Sequence, residues 1–151
     1  MKLYALAASL AFTFAVVVFA ADEPTVISSA NLKWVDFPAR PGTQLAVLFG
    51  DPSQPGLFIV RLKMPAGYKI APHTHPAAEN VTIISGAGFL GFGKTVDEKA
   101  AREMKTGDFL SIPADSPHYV WTRDETIIQI NSMGPFTSTE VNAEAPSPKN
   151  P

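Results

Sequence analysis

A chain of 151 residues with a formal charge of -2, no run of Lys or Arg and no Cys excludes several classes of protein at once. The charge leaves no electrostatic footprint for nucleic acid or for anionic lipid. The missing thiols remove disulfides, cysteine nucleophiles, zinc knuckles and lipid attachment at a mature N-terminus, so any chemistry must use oxygen and imidazole groups.

Residues 1–21 carry one positive side chain, Lys2, then an apolar run that ends in the small-x-small pattern Val18-Phe19-Ala20. This reads as a secretory signal peptide, with a retained membrane anchor as the alternative because the run approaches the lower limit of a spanning helix. Its removal leaves a mature protein of about 130 residues, the size of one domain. That protein is expected to be secreted or periplasmic and free of the membrane. A domain of this size buries enough surface to fold without a metal, so a metal here points to function.

Residues 22–29 are polar and read as an arm. Residues 31–37 alternate loosely, residues 45–49 are apolar, and Gly50-Asp51-Pro52-Ser53-Gln54-Pro55-Gly56 is a turn. Residues 57–64 place Phe58, Val60, Leu62 and Met64 on one face and Arg61 and Lys63 on the other, the period of a half-buried strand. Short segments at 81–84, 89–92, 109–112, 119–121 and 126–130, rich in β-branched and aromatic residues and separated by Gly, Pro, Asp or Asn, continue the theme. Only residues 96–104 have helical composition, enough for a single turn or a polar loop. The expected architecture is all-β, a barrel or sandwich over residues 22–137, followed by a loosely packed or disordered tail over residues 138–151.

The chain has three histidines, His73, His75 and His118. Side chains two apart on a strand share a face, so His73 and His75 present both rings to one point while Thr74 turns away. Glu79 follows the Pro76-Ala77-Ala78 turn, which can return a carboxylate to the two rings, and His118 follows Pro113-Ala114-Asp115-Ser116-Pro117, where two prolines fix a second turn. Three imidazoles and one carboxylate suit a divalent transition ion, Fe(II), Mn, Ni, Zn or Co, better than Mg or Ca. Because imidazoles bind metal only when neutral, affinity is expected to fall as pH drops through about 6.

These residues also carry a family resemblance. Gly67, His73, His75, Glu79 and Gly86 stand at the spacing G-x5-H-x-H-x3-E-x6-G, and Gly107, Pro113 and His118 at G-x5-P-x4-H. The chain resembles the cupin superfamily in both of its motifs, which together span residues 67–122. The resemblance implies a jelly-roll barrel of six to eight strands, a metal held by His73, His75, Glu79 and His118, and a homodimer. Two positions depart from the second motif. Asp115 stands where the family usually has Gly, which bears on the local turn, and Thr122 stands where it often has Asn, which bears on a polar group near the site.

With His118 inward, alternation turns Val120 and Thr122 inward and Tyr119 and Trp121 outward. Val81 and Ile83 share the parity of Glu79, giving a mostly apolar lining for a small-molecule substrate or ligand. Gln129 and Asn131 lie on a strand whose facing the pattern leaves open, and Tyr68, Arg61 and Lys69 carry no assigned role. No catalytic residue beyond the metal ligands follows from the pattern. The resemblance implies a metal-dependent enzyme, first of all an Fe(II)-type dioxygenase acting on a small oxygen-bearing molecule chelated to the ion. The alternatives are a non-catalytic metal- or ligand-binding cupin and a metal-dependent isomerase or decarboxylase.

Overall fold

A computed structural model describes residues 24–141, and everything structural below concerns those residues. The signal peptide expected at residues 1–21 and the tail beyond residue 141 lie outside them. After a 3-10 turn at Ser29–Asn31 the chain forms eleven strands. They are β1 (Val35–Asp36), β2 (Gln44–Phe49), β3 (Gly56–Met64), β4 (Lys69–Thr74), β5 (Glu79–Ser85), β6 (Ala87–Phe92), β7 (Arg102–Lys105), β8 (Phe109–Ile112), β9 (His118–Thr122), β10 (Thr126–Gly134) and β11 (Thr139–Glu140). A six-stranded sheet runs in the order β1-β2-β3-β10-β5-β8 and a five-stranded sheet in the order β11-β4-β9-β6-β7, all pairs antiparallel. The result is the expected jelly roll, with short extra strands at its edges.

Alternation builds the interior. On β3 Phe58, Val60, Leu62 and Met64 are all buried, and they meet Ile70 from β4, Val81 and Ile83 from β5 and Ile130 from β10 in one cluster. Each such side chain stabilises the fold by roughly 1.5–3 kcal/mol when fully removed from water. The opposite face of β10 turns outward: Gln129 accepts from Arg61 Nε at 3.2 Å and donates to Asn131 at 3.4 Å, so neither amide reaches the interior.

Three features go beyond the expectations. Within residues 96–104 the expected turn is present, started by Asp97 with the Ala100 N–H bonded to its carbonyl at 3.2 Å, but Arg102–Lys105 extends as β7 against β6. Pairing with a neighbour overrides local propensity there. The segment expected to be loose from residue 138 begins with an ordered strand, β11, paired with β4 through Thr139 opposite Thr74 and Glu140 opposite His73. Tyr119 faces away from the interior, as alternation requires, yet is only 1 % exposed. Residues 93–101 fold over it; its hydroxyl donates to the Asp97 carbonyl at 2.9 Å and accepts from the Asp97 N–H at 2.8 Å. Its ring lies against Gly91, where any β-carbon would collide with it.

Candidate metal centre

Register brings the first two rings together. His73 of β4 and His118 of β9 are direct cross-strand partners, and their ring centroids are 4.2 Å apart. His75 lies one residue beyond the end of β4. Its ring stacks on Phe136 at 4.3 Å and stands 4.9 Å from His73 and 5.5 Å from His118. Glu79 opens β5, and its Oε2 lies 3.7 Å from His75 Nε2 and 3.4 Å from His118 Nε2. The sequence-predicted residues His73, His75, Glu79 and His118 are 4 %, 6 %, 6 % and 2 % exposed.

The loops that carry these groups are tied to each other. The Asp115 N–H donates to the His75 carbonyl at 2.8 Å, which joins the two motif turns, and the Ser132 hydroxyl holds the Ala78 carbonyl just before Glu79 at 2.8 Å. Asp115 has φ 57°, the left-handed region that glycine enters freely and that aspartate tolerates better than most residues. The departure from glycine at this position therefore keeps the turn. Thr122, the other departure, is not a polar group of the site. Its Oγ1 donates to the Pro65 carbonyl at 2.6 Å and accepts from the Tyr68 N–H at 2.9 Å, stapling the turn that precedes β4.

Each ring has a backbone carbonyl at Nδ1: Ala71 at 2.8 Å for His73, Thr137 at 2.7 Å for His75 and Ser116 at 3.0 Å for His118. A carbonyl only accepts, so each Nδ1 carries a proton and Nε2 is left as the nitrogen that a metal could take. Burial, followed by the neighbouring His118 ring and opposed by the Ala71 bond, lowers His73 from 6.5 to about 4, with the charge of Arg40 adding to the effect. Burial also lowers His75, against the opposing pull of Glu79 and the Thr137 carbonyl. His73 and His75 are thereby held ready as ligands rather than as cations.

His73, His75 and His118 form a buried group with ligand atoms all within 4.8 Å of one another, and this group could hold a metal ion. Outer hydrogen bonds that fix tautomer and ring direction are what imidazole ligands to transition metals ordinarily have. The donor set therefore fits a borderline divalent ion. Behind it lies a cavity of about 620 Å³, walled by Val60, Leu62, Val81, Ile83, Val120 and Ile130 among others.

Sequence reasoning passed over four contributors to this site. Phe136 backs the His75 ring, the Thr137 carbonyl orients it, and Arg40 and Ser138 line the same cavity. A backbone carbonyl leaves no trace in sequence, and Arg40 sits in a Pro-flanked turn whose only visible signal is the turn itself.

Comparison with known proteins agrees with this geometry. Residues 60–130 match the family model described as a cupin domain. The polyketide cyclase RemF from Streptomyces resistomycificus superimposes with a TM-score of 0.64 at 16% identity, over 81% of this chain and 88% of that one. A protein with a double-stranded β-helix domain from Klebsiella pneumoniae does so with a TM-score of 0.59 at 18% identity, over 80% and 100%. Salicylate 1,2-dioxygenase from Pseudoaminobacter salicylatoxidans gives 0.54 at 15% identity, over 66% of this chain and 29% of that one. At such identities the likeness is one of fold. No curated protein sequence matches the chain significantly. The family model spans both motifs, so residues 60–130 are similar to a cupin domain, and the described chain shares its jelly roll with these structures.

Proposed function

We propose that this chain is an extracytoplasmic metal-dependent enzyme that holds one divalent ion through His73, His75, Glu79 and His118 and oxygenates a small oxygen-bearing organic molecule, with Fe(II) as its ion. The observation that carries the reading is the set of three Nε2 atoms turned inward by three separate Nδ1–H bonds to backbone carbonyls. Four protein ligands leave about two places on a six-coordinate ion, and an open place separates a catalytic site from a closed structural one. An iron(II) ion bound there supplies a Lewis acid and an electron donor for oxygen chemistry. The chain's own part is to fix the ligands, to keep the rings neutral and to keep water away with the apolar wall of the cavity.

The test is to purify the mature domain with its metal, measure the metal content, and record oxygen uptake with diketones, catechols, flavonols and oxalate. The expected result is about one ion per chain and uptake with one class, abolished in His73→Ala while the circular dichroism spectrum stays that of the wild type. Tight ligand binding with no turnover under any metal makes this a binding protein instead. Cell fractionation checks the compartment, where protein found in the cytoplasm refutes that part, and sedimentation checks the homodimer.

A further inference from the structure

The cavity wall is polar only around the histidine cluster and at its rim. Thr122 and Thr126, the threonines of the far end, have hydroxyls already given to backbone carbonyls, that of Thr126 to Ala87 at 3.0 Å and to Asp124 at 2.9 Å. No buried side-chain nitrogen or oxygen among the described residues lacks a partner. A polar group pushed into such an interior stays unpaired and loses the hydrogen bonds it made in water. The part of a ligand that fills it must therefore be apolar.

Arg40 is the one cationic side chain among the described residues that line the cavity. It is half-buried and lines the same cavity as His73, His75 and Glu79. Its Nη2 donates to Ser138 Oγ at 2.8 Å, and among the described residues it has no ion-pair partner, although Glu140 lines the same rim. Its backbone is fixed: the N–H donates to the Phe37 carbonyl at 2.9 Å, and the carbonyl accepts from the Thr43 N–H at 3.1 Å and Oγ1 at 2.7 Å. Its charge reaches the rings of His73 and His75. A guanidinium positioned in advance, with N–H groups to spare, is shaped for a planar oxyanion.

We propose that Arg40 is the anion-recognising residue of this site, and that the ligand is an organic carboxylate with one anionic end and an apolar body, its head placed between Arg40 and the histidine cluster. This rests on the metal-site reading for the chemistry that follows binding, while the recognition itself is separable from it. It makes Arg40 a specificity residue and narrows the substrate from oxygen-bearing molecules in general to amphiphilic monocarboxylates.

Isothermal titration of octanoate, octanamide and succinate into zinc-loaded and metal-free protein decides the matter. Octanoate is expected to bind at least tenfold more tightly than octanamide, which lacks the charge, and than succinate, which lacks the apolar body. Arg40→Gln should weaken octanoate by roughly 10- to 100-fold, the loss of a charged hydrogen bond, and leave octanamide and zinc content within about twofold of wild type. Arg40→Lys should recover part of the octanoate affinity. Octanoate binding equally well to wild type and Arg40→Gln, or succinate binding best, overturns the proposal. A protein that holds no zinc yet binds octanoate through Arg40 refutes the metalloenzyme reading and upholds this one. A protein that holds zinc and binds octanoate no better than octanamide does the reverse.

Discussion

The two ends of the interior are built on different rules. At the far end, around Met64, Val120 and Thr126, strand alternation points apolar side chains inward, and the threonine hydroxyl is spent on backbone. At the histidine end the deciding groups sit where strands begin or stop: Glu79 and His118 each open a strand and His75 follows one. Regular pairing supplies a wall that any similar side chain could fill. Irregular backbone, with free carbonyls to offer, aims three rings at one point.

If the two ends have separate tasks, they should fail separately. Met64 is 1 % exposed and belongs to the central cluster, so Met64→Ala should remove roughly 2–5 kcal/mol of stability through the cavity it leaves, with metal affinity nearly unchanged. Chemical denaturation with and without zinc measures both. His118→Ala should do the opposite. Binding energies for four-ligand structural zinc sites of roughly 10–16 kcal/mol put each ligand near 3 kcal/mol, so zinc affinity should fall by more than roughly 100-fold while the metal-free protein keeps its circular dichroism spectrum. A Met64→Ala protein that loses zinc as completely as His118→Ala would show that the ends are one cooperative unit.

The same division explains what could be read from the sequence. The strand at residues 57–64 and the burial of its even positions followed from a period of two, and His73, His75, Glu79 and His118 followed from side-chain parity, proline-bounded turns and the spacing of two family motifs. Three things had no such signature. The strand at Arg102–Lys105 exists because β6 offers it a partner, against the preference of its own residues. The tyrosine at position 119 is buried by a loop that crosses from elsewhere, which parity within β9 cannot reveal. Arg40 enters the site from a turn 33 residues before His73, and only the folded chain places it against Ser138.

Protons offer a finer comparison of the two ends, because only the histidine end titrates. The imidazole of His73 has an ordinary value of 6.5 when the chain is unfolded and about 4 in the fold. Below 6.5 the unfolded chain takes up a proton that the folded protein refuses, so stability of the metal-free protein is full above that pH and falls as pH drops from 6.5 to 4, by on the order of 3 kcal/mol. Burial lowers His75 as well and adds in the same direction. At His73 itself, proton competition with a metal is expected closer to pH 4 than to pH 6. Thermal unfolding of metal-free protein between pH 8 and pH 4.5 should show the loss, and His73→Gln should flatten it. A slope identical in the variant would mean that other groups carry the acid sensitivity.

The smallest effect separates the staple of the far end from the site. Thr122 lines the cavity, but its hydroxyl bonds the Pro65 carbonyl and the Tyr68 N–H, both in the turn that leads into β4. Thr122→Val keeps the shape and removes the hydroxyl, which leaves the Tyr68 N–H and the Pro65 carbonyl only their own bond of 3.3 Å and should cost about 0.5–1.5 kcal/mol of stability. Because β4 carries His73 at the other end of the strand from this turn, the zinc affinity should change by less than about threefold. Loss of zinc in Thr122→Val at full stability would instead place the hydroxyl in the metal site, where a hydrogen bond to a ligand or to bound water would be its task, and would break the division between a stapled apolar end and an aimed polar one.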